Sequence, residues 1–199
     1  MTTPASARRQ TWYQGWRSPY YNESHVTLRA YVRAWVDQHI APNCHEWDEQ
    51  KSIPKSVFQE FAKSGLANTV CGPILQPQDI TYSLPCGLTA KTFDVFHELI
   101  IVDEFSRPGS GGVVWSLFGG LSIGLPPVML FASKALRDRV VKPCLAGDKV
   151  ICLAITEPTA GSDVAALKCT AVLNKEKTHY VVNGVKKWVR CARGCEFCF

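Results

Sequence analysis

The sequence is short of charge and of compositional bias. It holds no dense block of lysine and arginine, no acidic residue before Glu23, no internal repeat and no low-complexity tract. Without a basic block, the formal net charge of +5 lacks the clustered footprint that nucleic acid requires. Charged residues make up 20% of the chain and hydrophobic ones 46%, which excludes a disordered polymer and indicates a globular fold. At 199 residues there is room for one ordinary domain, or for one domain and part of another. No secretory signal opens the sequence, and the first six of its nine cysteines have no paired spacing. A disulfide framework is therefore not expected, and a reduced, intracellular setting is.

Charge is missing altogether from Pro108 to Ser133, about the length of a bilayer span. Six glycines and the pair Pro126-Pro127 interrupt this stretch, whereas a spanning helix favours continuous Leu, Ile and Val. The reading is a buried helix in a bundle, with no membrane span. The opening residues, MTTPASARRQTWYQGWR, carry Arg, Ser and Thr in the manner of a mitochondrial presequence but with poor amphipathicity, so residues 1–22 read as a flexible tail. At the other end, Cys195-Glu196-Phe197-Cys198 is formally a CxxC beside Cys191. A structural zinc site needs a second ligand pair at matching spacing, and none is evident, so no metal is expected.

Helical periodicity governs the first three quarters of the chain. From Glu23 to Ile40, Val26, Ala30, Val32, Val36 and Ile40 fall near one face, broadened by Leu28 and Trp35, and Ala41-Pro42-Asn43 ends the pattern. IPKSVFQEFAKSGL predicts a second helix, with Pro54 in its first turn and Gly65 past its end. Residues 71–90 read as a loop. TFDVFHELIIVDEFSR predicts a third helix with Phe93, Phe96, Leu99, Ile100 and Val102 apolar, and SKALRDRVVKPCLAGD another, closing at Pro143 or Gly147. After Lys149 the period changes. Residues 151–156 read as one strand, and KCTAVLNKEKTHYVVNGVKKWVR as further strands with a polar turn at 174–178 and the hairpin dipeptide Asn183-Gly184. The fold class is mainly α: an all-α N-terminal domain over 23–148, then an incomplete antiparallel β domain over 149–190, with 191–199 an unmatched tail. Three or so strands cannot close a core, so the chain reads as truncated after Arg190.

The chemistry concentrates in CLAITEPTAGSDVAALK, residues 152–168. An apolar strand meets Thr156-Glu157-Pro158 and then the small-residue loop Thr159-Ala160-Gly161-Ser162-Asp163. Thr156 and Ser162 place two hydroxyls around a turn that exposes backbone N–H groups, and Gly161 permits positive φ or close approach of a ligand. Such a loop can hold a phosphate or the polar edge of a ring. Equally, it can be a connecting loop whose hydroxyls satisfy their own backbone; spacing does not separate the two. The mildly basic balance suits an anionic ligand such as a nucleotide or coenzyme A thioester without demanding one. His97 and Glu98 read as a helix-face pair, not a catalytic dyad.

The T-E-P-x-A-G-S-D run resembles the signature of the acyl-CoA dehydrogenase family of flavoproteins, where it follows the first strand of the middle β domain. LRAYVRAWVDQHIAPNCHEWDEQKSIPKSVFQEFAKSGL resembles the family's first helices, LRDRVVKPCLAGDKVICLAITEP its passage into the β domain, and YVVNGVKKWV its next flavin-contacting strand. The resemblance spans residues 23–189 in family order and is similar in flavour to a fungal branch that includes enzymes of secondary-metabolite and toxin pathways.

The resemblance implies FAD and the α,β-dehydrogenation of an acyl-CoA thioester in fatty-acid or secondary metabolism. It also implies electrons passed to an electron-transfer flavoprotein or oxygen, a homo-oligomer, and a mitochondrial or peroxisomal location. Residue by residue, it implies that Leu153 and Ile155 lie along the flavin and that the Thr156 hydroxyl faces the ring edge. Gly161 and Ser162 would approach the bound ligands, Ser162 also touching the acyl-CoA, while Trp188 and Val189 pack against the flavin. Glu157 belongs to the structural signature and is not the base. The family's catalytic glutamate lies in a C-terminal helical domain, so no catalytic residue is nominated and the chain alone is expected to be inactive. After the Trp-aliphatic pair the family usually has Thr-Asn-Gly; here the residues are Arg190-Cys191-Ala192, and CARGCEFCF resembles nothing in the family. The alternatives are a non-catalytic remnant or partner-binding module using exposed β edges, and a membrane protein anchored by residues 108–133.

Overall fold

The first helix, α1 (Glu23–His39), starts where its sequence provides a cap. The Asn22 side chain accepts from the Ser24 N–H at 2.9 Å and the Asn22 N–H donates to His25 Nδ1 at 3.1 Å, pairing amides that a helix start leaves unbonded. The structure, a computed structural model, describes residues 18–75, 77–189 and 195–198. Most of the 1–22 tail therefore lies outside the described residues, as do Arg190, Cys191 and Ala192. Beyond α1 come α2 (Cys44–Gln50), α3 (Lys55–Lys63) and α4 (Leu66–Thr69). Two of these, α2 and α4, are too short to show a period in sequence. Residues 71–90 are a chain of tight 3-10 turns, as the run of Pro and Gly predicts.

Helix α5 (Val95–Ser106) begins three residues later than its apolar pattern indicates. Asp94 is the cap: its carboxylate accepts from the Phe96 and His97 N–H groups at 2.9 and 3.2 Å. The inward face also differs from expectation. His97, Ile100, Ile101, Glu104 and Phe105 are buried, while Leu99 is 51% and Val102 39% exposed. The matching offset occurs on α1, where His25, Leu28, Arg29, Val32, Trp35 and Val36 are buried and Val26 is 42% exposed. The reason is electrostatic. Arg29 donates to Asp103 at 2.6 Å and to Glu104 at 2.5 Å, Arg33 to Glu104 at 2.8 Å, and Arg107 to Glu104 at 3.2 Å and Asp37 at 2.9 Å. Glu104, fully buried, thus sits under three guanidinium groups. Each helix buries this polar seam beside its inward apolar residues, Leu28, Val32 and Val36 on α1 and Ile101 and Phe105 on α5. Below it, Trp35, Phe61, Phe105 and Phe118 form a cluster of tilted and edge-to-face rings, contacting centroids 4.9 to 5.8 Å apart.

The uncharged stretch forms one helical run: α6 (Gly111–Gly119), a π turn (Gly120–Gly124) and α7 (Leu125–Phe131). It is long and apolar enough to cross a membrane, and its inner face is packed in the core: Val113, Leu117, Leu121, Leu125 and Val128 are each at least 90% buried. The glycines and prolines do not break it as expected. The π turn carries the Leu125 N–H back to the Gly120 carbonyl, and Pro126 and Pro127 follow in the first positions of α7, where an N–H is dispensable. Gly120 is needed for contact: a Cβ there would lie 2.1 Å from the Ile151 carbonyl oxygen. Helix α8 (Lys134–Leu145) then runs through Pro143 and closes at Ala146.

The β elements are smaller than their sequence signals. β1 is Ile151–Cys152 only, not 151–156, and pairs in parallel with β4 (Phe197–Cys198). Ile151 belongs to the helical core and Phe197 packs against it. β2 (Thr170–Leu173) and β3 (Tyr180–Asn183) form an antiparallel hairpin whose turn at 174–179 is closed by Asn174 Oδ1, accepting from the Thr178 and His179 N–H groups. Every residue of both strands is exposed. Asn183-Gly184 does not make the expected hairpin; it ends β3. Gly184 lies so close to Cys169 that a Cβ would meet its Sγ at 2.6 Å, and the residues beyond are tied elsewhere.

Candidate functional site

The loop after β1 is organised by one carboxylate. Residues 157 and 160 exchange both backbone hydrogen bonds, Glu157 N–H to the Ala160 carbonyl at 2.8 Å and the reverse at 3.2 Å, closing a tight turn. Two of the N–H groups expected to face a ligand are therefore engaged within the chain. The buried Glu157 side chain accepts from the Lys168 N–H at 2.7 Å, the Cys169 N–H at 3.0 Å and the Lys186 ammonium at 2.9 Å. These bonds, that of Lys168 foremost, hold the carboxyl below its ordinary range. A carboxylate so engaged is an anchor and not a base. Lys186, absent from the sequence-based candidates, also donates to the Ile155 carbonyl at 3.1 Å. It supplies the cation that a buried carboxylate needs.

Lys186 and its neighbour join the two halves of the predicted site. The Lys187 N–H donates to the Thr156 carbonyl at 2.8 Å, bringing Trp188 and Val189 to the strand end that carries Leu153, Ile155 and Thr156. Among the described residues, neither the Thr156 nor the Ser162 hydroxyl bonds to the chain's own backbone, contrary to the connecting-loop reading. Gly161 has no positive φ, and a Cβ there would meet nothing within 4 Å, so the protein's own packing does not call for glycine. Trp188 is 77% exposed with φ +59°, a conformation rare for a bulky side chain, and the Lys187 ammonium lies 4.9 Å from its ring centroid. Val189 lines a cavity of about 610 Å³ between α2, the start of α6 and residues 148–150.

His97 and Glu98 part company. The His97 ring stacks on His25 at 3.8 Å, bonds the Ser24 hydroxyl at 2.9 Å and takes the Asp94 N–H on Nδ1 at 3.1 Å. Burial, with the nearby His25, pushes its pKa down. His25 Nδ1 takes the Asn22 N–H, and its Nε2 meets Asp94 Oδ1 at 3.0 Å. The His25, Asp94 and His97 ligand atoms lie within 4.8 Å of one another, yet both Nδ1 atoms are engaged in capping, so the cluster is a double helix cap. Glu98 instead borders an apolar cavity of about 200 Å³ between α4, α5 and α6, and burial raises its pKa.

Residues 22–72 match the acyl-CoA dehydrogenase N-terminal domain, and residues 152–199 match the acyl-CoA dehydrogenase middle domain. The chain belongs to the acyl-CoA dehydrogenase family. Its middle-domain match takes in residues 191–199, which the sequence reading had set apart as unlike the family. Acyl-CoA dehydrogenase AFT10-1 of Alternaria alternata is 34% identical over 188 residues, covering 94% of this chain and 43% of that protein. Acyl-CoA dehydrogenase apdG of Emericella nidulans is 35% identical over 182 residues, covering 88% and 41%. The crystal structure of a probable acyl-CoA dehydrogenase from Mycobacterium abscessus superposes with a TM-score of 0.70 at 30% identity, covering 84% of this chain and 41% of that one. The chain thus spans about two fifths of the length of these family members.

Proposed function

We propose that this chain supplies the N-terminal helical domain (23–148) and the flavin-side start of the middle β domain (149–190) of an FAD-dependent acyl-CoA dehydrogenase. The observation that carries the reading is the 2.8 Å bond from the Lys187 N–H to the Thr156 carbonyl. It joins segments some thirty residues apart into one surface with two hydroxyls, a glycine facing open space and an exposed indole. That combination fits a flat ring with a polar edge. Leu153, Ile155, Thr156, Gly161, Ser162, Trp188 and Val189 would hold FAD, and Ser162 would also touch the acyl-CoA thioester. When bound, FAD supplies a two-electron acceptor for the hydride that leaves the thioester β-carbon. The chain's part is to bind and orient: the Thr156 hydroxyl donates to the ring edge, Trp188 shields it from water, and Glu157 with Lys186 holds the loop in place. No residue of this chain is assigned as the base that takes the α-proton. The substrate class is a fatty-acid or secondary-metabolite acyl-CoA. The partners are an electron-transfer flavoprotein or oxygen and further copies of the chain, within the mitochondrion or peroxisome.

Titrating FAD into the 199-residue chain tests the site directly, read by quenching of flavin fluorescence. Saturable but weak binding is expected, with Kd raised about five- to tenfold in Thr156→Ala, the loss of one hydrogen bond. No quenching, or equal quenching by parent and variant, would refute the role given to Thr156. One observation favours a second reading, a partner-binding module: both strands of the β2–β3 hairpin are exposed, with Val172, Tyr180 and Val182 each more than 60% accessible.

A further inference from the structure

We propose that Cys152 and Cys195 are a redox-sensitive thiol pair. Their oxidation to a disulfide would fasten the strand leading into the Thr156 loop to the segment at 195–198. The two sulfurs lie 3.2 Å apart, in contact and unbonded. Several bonds hold them there. β4 pairs with β1 so that Cys152 has Cys198 as its register partner. The Glu196 and Phe197 N–H groups both donate to the Val150 carbonyl, at 3.0 and 3.2 Å, and the Val150 N–H donates back to Glu196 Oε2 at 2.7 Å. Lys149 lies 3.6 Å from the same carboxylate. The Cys195 thiol also donates to the Phe197 carbonyl at 2.6 Å. This clasp places the two sulfurs on the border of the helical core, Cys152 2% exposed and Cys195 half-buried.

The asymmetry assigns an order to the chemistry. Burial pushes the Cys152 thiol up, with its neighbours Cys195 and Cys198 adding to the rise, so it is a poor first nucleophile. A peroxide meets the outer sulfur. The Cys195 thiolate attacks one peroxide oxygen, the O–O bond breaks, and Cys195 becomes a sulfenic acid as the other oxygen leaves as water or alcohol. The Cys152 sulfur then attacks the Cys195 sulfur, forming the S–S bond and breaking S–O. Hydroxide departs and combines with the Cys152 proton as water. The two thiols lose two electrons and the peroxide gains them. A reduced compartment suits such a pair, since thiols that oxidise transiently there serve as sensors and not as staples. The bond closes a loop across 43 positions that contains both the 156–162 and the 186–189 segments. The inference does not depend on flavin binding.

The test uses the full chain, reduced, stripped of metal with a chelator, then treated with a stoichiometric amount of hydrogen peroxide. Free thiols are alkylated and peptides mapped without reductant. The expected product is a peptide carrying Cys152 joined to one carrying Cys195, in the parent and in Cys198→Ser and Cys191→Ser, and absent in Cys195→Ser. The oxidised parent should melt higher than the reduced parent, while peroxide leaves the melting of Cys195→Ser unchanged. A link that survives in Cys195→Ser through Cys198, or Cys152 alkylated in full after peroxide, would overturn the assignment. So would one tightly held zinc per chain that, left in place, keeps peroxide from acting, since that marks a thiolate metal site.

Discussion

Glu157 decides the shape of the Thr156 loop, and its charge is what it contributes. The folded carboxyl is held below its ordinary range by the Lys168 N–H, by Lys186 and by the Cys169 N–H. Stability linked to a depressed carboxyl is fully present above the unfolded value, about 4.3 for Glu, and is lost as pH falls through the lower folded one. Amide exchange at Lys168 and Cys169 should therefore be slow at neutral pH and should accelerate, beyond the intrinsic rate, below about pH 4. Glu157→Gln should show that faster exchange already at neutral pH; equal protection in the variant would mean the charge is not the anchor. That Glu157 is structural was legible from the sequence through its place in the family signature. Lys186 was not, because its partner stands 29 positions away and nothing local distinguishes it from Lys187. Of the two reasons the sequence offered for Gly161, positive φ is excluded and close approach to its backbone remains, with open space beside it.

Among the elements, α1 and α5 were predicted in place and nearly in length; on α1 Leu28, Val32, Trp35 and Val36 are buried as expected while Val26 and Ala30 are not, and on α5 the buried arc was misread. Counting apolar residues in the α5 pattern selects Phe93, Phe96, Leu99, Ile100 and Val102, of which Ile100 is buried; the helix is apolar almost all round, so the count has little contrast to work with. What orients it is the polar seam from Arg29 and Arg33 to Glu104, a pairing over more than seventy positions that no local window contains. Replacing Glu104 with Ala removes the buried carboxylate that Arg29, Arg33 and Arg107 share, and should cost about 3–5 kcal/mol in urea unfolding. Exposed Glu49→Ala, as the comparison, should stay within about 0.5 kcal/mol. A Glu104→Ala loss below 1 kcal/mol would show the seam to be ornamental. The β elements were legible as strands but not in extent. The polar turn expected at 174–178 forms, closed by Asn174, but β1 is only two residues long and Asn183-Gly184 makes no turn, because a turn dipeptide acts only when a second strand follows to pair with the first. Here the following residues bond to Thr156 instead.

Across the whole molecule, one core runs from α1 through α8 and takes in Ile151, with Phe197 against it, so the first strand pair belongs physically to the helical body. The β2–β3 hairpin stands apart, exposed throughout. The seam between α1 and α5, with the His25–Asp94–His97 cap at its end, is an interface between two halves of the chain that the covalent connection does not itself hold together. The loop between them exposes Lys91, spanned by the Thr92 and Phe93 N–H bonds to the Thr89 carbonyl and by the hydrogen bonds of the Thr89 and Thr92 hydroxyls with each other and with each other's backbone. A single tryptic nick after Lys91 should accordingly leave two fragments that comigrate in gel filtration and separate only in denaturant. Fragments that fall apart on nicking would show that the linkage is needed. If they remain together, the protein can be made as two independently expressed pieces, the junction at residue 91 serving as a split point where association reports on whether the partners have met.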